Sequence, residues 1–225
     1  QHIKNGARKV IVSAPCKNAD KTIVYGVNHK IINKKDLIIS AASCTTNCLA
    51  PVAQVLNDEF KIEKGFMTTI HSYTSDQRLL DNSHKDPRRA RSAAQSIVPT
   101  STGASKALSE IIPELEGKIE GLALRVPTPN VSMVDLVFNS KKNLSINKIN
   151  DVFKKASKKN LKNILYATEE KLVSIDFNHN SFSAIVDANL TCVVGKNMGK
   201  ISAWYDNEWG FSNRMCDLVK YIHKI

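Results

Sequence analysis

The sequence lacks the features that mark several special classes of protein. No apolar run approaches the roughly 18 residues of a membrane-spanning helix, which argues against an integral membrane protein. No basic and then apolar leader is present, so nothing indicates secretion. Five cysteines in 225 residues are too sparse for a disulfide scaffold. We therefore expect a globular protein of the reducing cytoplasm that has no membrane partner.

Positive charge is abundant, with a formal net charge of +11. Much of it comes from residues 141–162, where eight lysines accompany one acid, Asp151. Apolar residues in this segment have the spacing of an amphipathic helix, so the lysines are predicted to form its solvated face. No aromatic or glycine-rich motif for base recognition accompanies them. Nucleic-acid binding is therefore a minor hypothesis.

The first part of the chain has the pattern of a parallel sheet. Residues 2–6 are typical of the last turn of a helix that ends at Gly6. Three apolar runs follow, at residues 9–15, 22–27 and 37–41, and each is typical of a buried parallel strand. Because such strands need neighbouring strands and helices on both faces, we expect a chain that lacks the first portion of this domain.

Cys44 is the strongest candidate for a nucleophile. The segment SCTTNC, residues 43–48, follows the third run and opens a helical pattern. A thiol at such a turn lies near the positive end of the helix dipole, so we predict a lowered pKa. Pro51 belongs in a first turn, so the helix either starts after Thr45 or kinks. The alternatives are a small buried cysteine and a zinc site with Cys48, which we discount because no second pair has metal spacing.

His71 and several anion-binding features accompany this thiol. His71 ends a strand-like run at residues 65–70, from where it can reach a neighbouring cysteine, although a structural histidine is an equally good interpretation. Hydroxyls and a glycine at residues 100–103 precede a helical pattern, which suits phosphate but also simple capping. Arginines at positions 88, 89, 91 and 125 could bind phosphate. Together these features indicate covalent chemistry on a phosphorylated substrate.

Four motifs follow one another along the chain. They are SCTTNC at residues 43–48, HSYT at 71–74, RVPTPNVS at 125–132 and WYDNE at 204–208. Together they resemble phosphorylating glyceraldehyde-3-phosphate dehydrogenase, most closely its bacterial and organellar forms. The resemblance spans nearly the whole chain but lacks the family's first portion, which includes the glycine-rich phosphate turn.

The resemblance implies a role for each candidate residue. Cys44 corresponds to the nucleophile that forms a hemithioacetal and then a thioester, and His71 to the residue that accepts its proton. The other candidates are Thr74 and Arg125 for the substrate's own phosphate, Ser43, Thr45, Arg89, Thr102 and Gly103 for inorganic phosphate, and Ser13 and Asn207 for the cofactor. We expect NAD, with NADP as the alternative, and poor cofactor binding by the chain alone. No metal is expected.

The resemblance also implies an α/β architecture. Residues 1–44 correspond to the last part of a parallel, Rossmann-type NAD-binding sheet. Residues 45–207 correspond to an α+β catalytic domain with a mostly antiparallel sheet, including strands at 131–138 and 200–205. Its S-shaped loop, residues 76–101, packs between subunits, which implies a homotetramer for the complete protein. Residues 208–225 correspond to a final helix that returns to the NAD-binding domain.

Three classes of function stay open at this point. The first is the oxidation of glyceraldehyde 3-phosphate to 1,3-bisphosphoglycerate in glycolysis. Within the same class, erythrose-4-phosphate dehydrogenase shares the cysteine and the histidine but hydrolyses its thioester. The second is a thiol acyltransferase or esterase that uses the pair without a redox step. The third is a non-catalytic binding protein that uses the basic face.

Overall fold

The computed structural model describes all residues, 1–225, as a mixed α/β structure with a small and a large sheet. The strands are β1 (Val10–Val12), β2 (Lys21–Thr22), β3 (Ile38–Ser40), β4 (Ile62–Ser72), β5 (Val98–Ser101), β6 (Ile119–Val126), β7 (Ser132–Ser140), β8 (Leu165–Thr168), β9 (Ala184–Asp187), β10 (Cys192–Val194) and β11 (Met198–Tyr205). The α-helices are α1 (Cys44–Phe60), α2 (Ala104–Ile111), α3 (Ile146–Lys158) and α4 (Trp209–His223). Short 3-10 helices cover His29–Ile31, Pro113–Leu115, Ser174–Phe177 and Ala188–Leu190.

The small sheet is parallel, with the strand order β1-β3-β2. The parallel direction was predicted, but the second strand ends at Thr22 rather than at residue 27. The reason is a turn around Asn28, whose Oδ1 accepts the Val24 N–H and whose Nδ2 donates to the Thr22 carbonyl. Residues 2–6 form turns rather than a helix, and Gly6 has a φ of +97°. The strand β1 is half-buried rather than buried, because it lies at one edge of this sheet.

Helix α4 covers this small sheet, although it lies at the other end of the chain. Leu218 packs against Ile23, Ile32 and Ile39 in one apolar cluster. The predicted final helix is therefore present and faces residues of the first segment. The division into domains at residues 44 and 207 stays a prediction.

The large sheet has eight strands, of which seven follow the order β5-β6-β4-β7-β11-β9-β8 and β10 pairs with β11. Most neighbours are antiparallel, as predicted, and the predicted strands at 131–138 and 200–205 correspond to β7 and β11. The pairs β4–β6 and β8–β9 are parallel. The β4–β6 register places His71 directly beside Arg125.

One face of the large sheet is covered by α1, α2 and α3, which share the main apolar core with it. Alternate residues of β7, such as Leu136 and Phe138, are fully buried under α1. Helix α1 begins at Cys44 and runs through Pro51, so the prediction of a later start is wrong. Pro51 cannot donate to the Asn47 carbonyl, and the burial of most of this helix offsets that loss.

The opposite face of the large sheet carries apolar side chains that no helix covers. Its members are Phe66 and Ile70 of β4, Leu122 and Leu124 of β6, and Met133 and Val137 of β7. Phe66 is 50% exposed, and the others are half-buried. We call these six residues the open face. Separately, no α-helix of the structure has both the length and the apolar character needed to cross a membrane.

Gly121 is the glycine of the β4–β6 pairing that has the least room for a side chain. A Cβ atom added there would lie 2.5 Å from the backbone oxygen of Met67. We expect Gly121→Ala to lower the free energy of unfolding by about 1–3 kcal/mol, because the strands must move apart. Urea unfolding would measure the change, and Glu120→Ala, at an exposed neighbour, is expected to stay within about 0.5 kcal/mol of the native chain. Equal effects of the two substitutions would contradict this account of Gly121.

Candidate active site

The first turn of α1 presents Cys44 at the surface of the core. Ser43 is the N-cap, and its Oγ accepts the backbone N–H of Thr46 at 3.1 Å. Cys44 is therefore the first residue of the helix, and its side chain is half-buried. The side chain of Asn47 holds the preceding loop by donating to the carbonyls of Ala41 and Ser43. This capping fixes the direction in which the thiol projects.

His71 meets Cys44 from the end of β4. Its Nε2 lies 3.5 Å from the Sγ of Cys44, which is within hydrogen-bond distance for sulfur. The imidazole is buried, with 3% of its residue surface exposed. Because β4 side chains alternate, His71 lies on the same face as Thr69 and Met67, the face that α1 covers. The structure therefore brings together the two residues that the sequence proposed as nucleophile and base.

Two groups compete for the other nitrogen of His71. Its Nδ1 lies 2.7 Å from the Ser72 carbonyl oxygen and 2.6 Å from Nη1 of Arg125. A proton on Nδ1 is donated to the carbonyl and leaves Nε2 free to accept the proton of Cys44. A proton on Nε2 instead lets Nδ1 accept from Arg125. The position of Arg125 therefore affects which nitrogen faces the thiol as a base.

Burial keeps both members of the pair neutral. Burial, together with the charge of Arg125, lowers the pKa of His71 to about 4. Burial also raises the pKa of the Cys44 thiol, although the N–H of Thr45 and the charge of Arg125 oppose this. The prediction of a lowered thiol pKa is therefore wrong. The favourable position at a helix start does not outweigh the loss of water around the sulfur.

The predicted cofactor residue Asn207 is held by two serines. Its Oδ1 accepts hydrogen bonds from the hydroxyls of Ser72 and Ser132, each at 2.9 Å. Its Nδ2 makes only a long contact of 3.5 Å to Glu208, so this amide N–H can donate to another acceptor. A donor fixed in this way fits the carboxamide oxygen of a nicotinamide. Ser13 lies in the exposed loop after β1, and no hydrogen bond joins it to Asn207.

The predicted phosphate residues are only partly brought together. Arg89 pairs with Asp76 and lies close enough to Arg125 for its charge to add to burial in lowering the pKa of that guanidinium. Thr74 follows β4 directly, near the same end of the sheet. Thr102 and Gly103 lie beyond the other end of β5, because Val98 pairs with Arg125 whereas Ser101 pairs with Leu122. The Thr102 hydroxyl accepts the Ala104 N–H at 3.3 Å, and no hydrogen bond joins it to the Cys44–His71 pair.

Two residues near the site, Tyr205 and Gln77, were not among the candidates proposed from the sequence. The hydroxyl of Tyr205 binds that of Thr45 at 2.9 Å, so the side chain of this predicted phosphate ligand already has a partner. Gln77 is 5% exposed, its Oε1 accepts the Thr74 N–H at 3.4 Å, and its Nε2 has no partner. Tyr205 belongs to the WYDNE motif and to a strand pattern, but neither indicated its contact with Thr45. The structure groups no three His, Cys, Asp or Glu side chains that could hold a metal ion.

Comparison with known proteins connects this site to one family. The family model of the glyceraldehyde 3-phosphate dehydrogenase C-terminal domain matches residues 43–207. A glyceraldehyde-3-phosphate dehydrogenase of Cereibacter sphaeroides is 55% identical over 96% of this chain and 65% of its own length. Glyceraldehyde-3-phosphate dehydrogenase 2 of Bacillus subtilis is 53% identical over 98% and 65%. Chloroplastic glyceraldehyde-3-phosphate dehydrogenase GAPB of Arabidopsis thaliana is 56% identical over 99% and 50%. The chain thus spans two thirds or less of the length of these relatives.

The lowered pKa of His71 predicts an acid-sensitive fold. Between pH 6.5 and pH 4 the unfolded state binds a proton at this position that the folded state excludes, so stability falls as the pH falls. A shift from 6.5 to about 4 corresponds to about 3 kcal/mol across this range. Between these pH values, we expect the free energy of unfolding of the native chain to fall by about 3 kcal/mol more than that of the His71→Asn chain. Urea unfolding of both chains at several pH values measures the difference, and parallel pH profiles would contradict the burial of a neutral imidazole.

Proposed function

The chain belongs to the glyceraldehyde-3-phosphate dehydrogenase family, and on that premise we propose that it supplies the thiol for the phosphorylating oxidation of a small phosphorylated aldehyde. The observation that supports this most is the 3.5 Å approach of the Cys44 Sγ to the His71 Nε2. The proposed substrates are glyceraldehyde 3-phosphate and inorganic phosphate, and the proposed product is 1,3-bisphosphoglycerate. The proposed cofactor is NAD or NADP, and the proposed setting is glycolysis in the cytoplasm.

In the first step Cys44 adds to the aldehyde. The sulfur forms a bond to the aldehyde carbon, the carbonyl pair moves to oxygen, and the thiol proton passes through His71 Nε2 to that oxygen, giving a hemithioacetal. His71 is neutral near pH 7, because its pKa is lowered to about 4, so a lone pair on Nε2 is free to relay this proton from the thiol to the oxygen. The backbone N–H of Cys44, at the free start of α1, is available to the developing oxyanion.

Arg125 connects substrate recognition with the state of the base. Its guanidinium lies beside Nδ1 of His71, and we assign it, with Thr74, to the substrate's own phosphate. When the guanidinium turns to a phosphate, the Ser72 carbonyl is left as the partner of Nδ1. Nδ1 then carries the proton, and Nε2 faces Cys44 as the acceptor.

Asn207 and Ser13 are the proposed contacts to the cofactor. Asn207 is oriented by Ser72 and Ser132, so that its Nδ2 can donate to the carboxamide. A bound nicotinamide cofactor would supply the acceptor for the hydride that leaves the hemithioacetal. His71 then holds the proton from the hemithioacetal hydroxyl, and Cys44 carries a thioester.

Inorganic phosphate would release the acyl group. A phosphate oxygen attacks the thioester carbon, the carbon–sulfur bond breaks, and the leaving sulfur recovers the proton held by His71, while the proton of phosphate goes to solvent. We assign this phosphate to Ser43, Arg89, Thr102 and Gly103, and to Thr45 through its backbone N–H in the first turn of α1, because the Thr45 hydroxyl is bound by Tyr205. Arg89 is the positively charged residue of this set, and it lies close enough to Arg125 for its charge to help lower the pKa of Arg125.

The open face of the large sheet supports self-association. Its six apolar residues lie side by side on three paired strands, and burying them against a second copy would remove apolar surface from water. We therefore propose that the chain associates through this face as part of a homotetramer.

Acyl transfer tests the thiol and the phosphate site without a cofactor. Acetyl phosphate is expected to acylate Cys44, with loss of inorganic phosphate, and intact-mass spectrometry locates the acetyl group. We expect the isolated acyl chain to lose this group at least about 10-fold faster with inorganic phosphate present than without it, because a bound phosphate is held close to the thioester.

Two arginines provide a matched pair for this test. Arg89→Ala is expected to abolish the acceleration by phosphate, whereas Arg91→Ala is expected to keep it, because Arg91 is exposed and pairs with Asp81. Deacylation that ignores phosphate in the native chain would instead favour the hydrolytic chemistry of an erythrose-4-phosphate dehydrogenase. A native chain that takes up no acyl group at Cys44 would refute the role of the thiol.

A single charge on the open face tests the association. We expect the Phe66→Lys chain to sediment as smaller species than the native chain, because the substitution removes an aromatic side chain from the contact and places a charge there that must lose its water. Val194→Lys makes the same kind of change at an exposed residue of β10, away from the open face, and is expected to leave the distribution unchanged. If native and Phe66→Lys chains sediment alike, this face is not the contact.

A further inference from the structure

We propose that Tyr205 is a positioning residue for the Cys44–His71 pair, which it holds through a bridge of hydroxyl groups between Thr45 and Thr69. The proposal rests on the role given above to that pair. It concerns a residue that makes no hydrogen bond to either reacting side chain and that lies far from both in sequence.

The bridge is buried and joins three elements of the fold. The hydroxyl of Tyr205, on β11, lies 2.9 Å from the Thr45 Oγ1 on α1 and 2.8 Å from the Thr69 Oγ1 on β4. Tyr205 is 1% exposed, Thr45 4% and Thr69 1%, so water has little access to any of them. A buried phenol with two hydroxyl partners can donate to one and accept from the other.

Each end of the bridge lies beside one member of the pair. Thr45 is the residue after Cys44 in the first turn of α1, and Thr69 lies two residues before His71 on the same face of β4. The ring of Tyr205 also meets the ring of His71 edge to face, with centroids 6.0 Å apart and planes at 75°. The phenol therefore connects the helix that carries the thiol with the strand that carries the imidazole.

No other hydrogen bond between side chains joins the first turn of α1 to β4, apart from the contact between Cys44 and His71 itself. Removing the phenol hydroxyl would leave the hydroxyls of Thr45 and Thr69 without this partner in a buried place. Burial raises the pKa of Tyr205 well above its ordinary value, so the phenol keeps its proton near neutral pH. We expect the separation of Sγ and Nε2 to become less well defined when the bridge is lost.

A double-mutant cycle distinguishes positioning from simple stabilisation. The readout is the rate at which iodoacetamide alkylates Cys44 in the full 225-residue chain near pH 7, with the site located by peptide mass spectrometry. We expect His71→Asn to slow this reaction by about 10-fold in the native chain but by less than about 3-fold in Tyr205→Phe, a coupling typical of residues in one network. A residue that only stabilises the fold would leave the effect of His71→Asn unchanged.

Control variants test the hydroxyl itself. In a Thr69→Val chain, His71→Asn is expected to slow alkylation of Cys44 as little as it does in Tyr205→Phe. A Thr69→Ser chain keeps a hydroxyl and is expected to alkylate at the native rate. Tyr166→Phe removes a hydroxyl from an exposed ring of β8 and is expected to change nothing. Circular dichroism and thermal unfolding confirm that each chain is folded, and Thr69→Val carries the test if Tyr205→Phe does not fold.

The outcomes separate this proposal from the one on which it rests. If His71→Asn slows alkylation equally in the native, Tyr205→Phe and Thr69→Val chains, the pair functions without the bridge and the role of Tyr205 is refuted. If His71→Asn has no effect in the native chain, the pair itself is refuted, and the bridge loses its role with it.

Discussion

The burial of the first turn of helix α1 is the constraint on which the rest of the site depends. This helix is packed between the large sheet and two other helices, and most of its residues are buried. Ser43 ends the preceding loop and caps the helix, so the thiol of Cys44 projects toward the end of β4. A helix that could slide along the sheet would not hold a sulfur atom at a fixed distance from one imidazole.

The same burial determines the resting electrostatics. A helix start alone favours a thiolate, but burial of Cys44 raises the pKa of its thiol by more than the neighbouring groups lower it. Burial also lowers the pKa of His71 and so keeps the imidazole neutral. The resting pair is therefore a neutral thiol and a neutral base, not an ion pair. In the proposed mechanism, proton transfer therefore accompanies the arrival of the substrate, and Arg125, which contacts His71, is the proposed link between the two.

Local patterns predicted those parts of the molecule that depend on neighbours in sequence. The helix after the third strand, the strand that ends near His71 and the final helix all follow from residue spacing, although the start of α1 at Cys44 was predicted too late. The meeting of His71 with Arg125 depends on a parallel pairing of strands, and the bridge from Thr45 to Tyr205 spans 160 positions, so neither left a periodic trace. The strand predicted for residues 22–27 ends at Thr22, because the side chain of Asn28 forms hydrogen bonds with the Val24 N–H and the Thr22 carbonyl. The pKa of Cys44 was mispredicted because solvation is a property of the assembled core.

The packing of α4 on the small sheet has a consequence for the order of folding. Ile23 and Ile39 are covered by Leu218, a residue near the opposite end of the chain. On a ribosome, the first strands emerge long before the helix that shields them, so their apolar surface stays uncovered during most of synthesis. Until Leu218 is in place, the aliphatic side chains of residues 23–39 are open to chaperones that bind such segments.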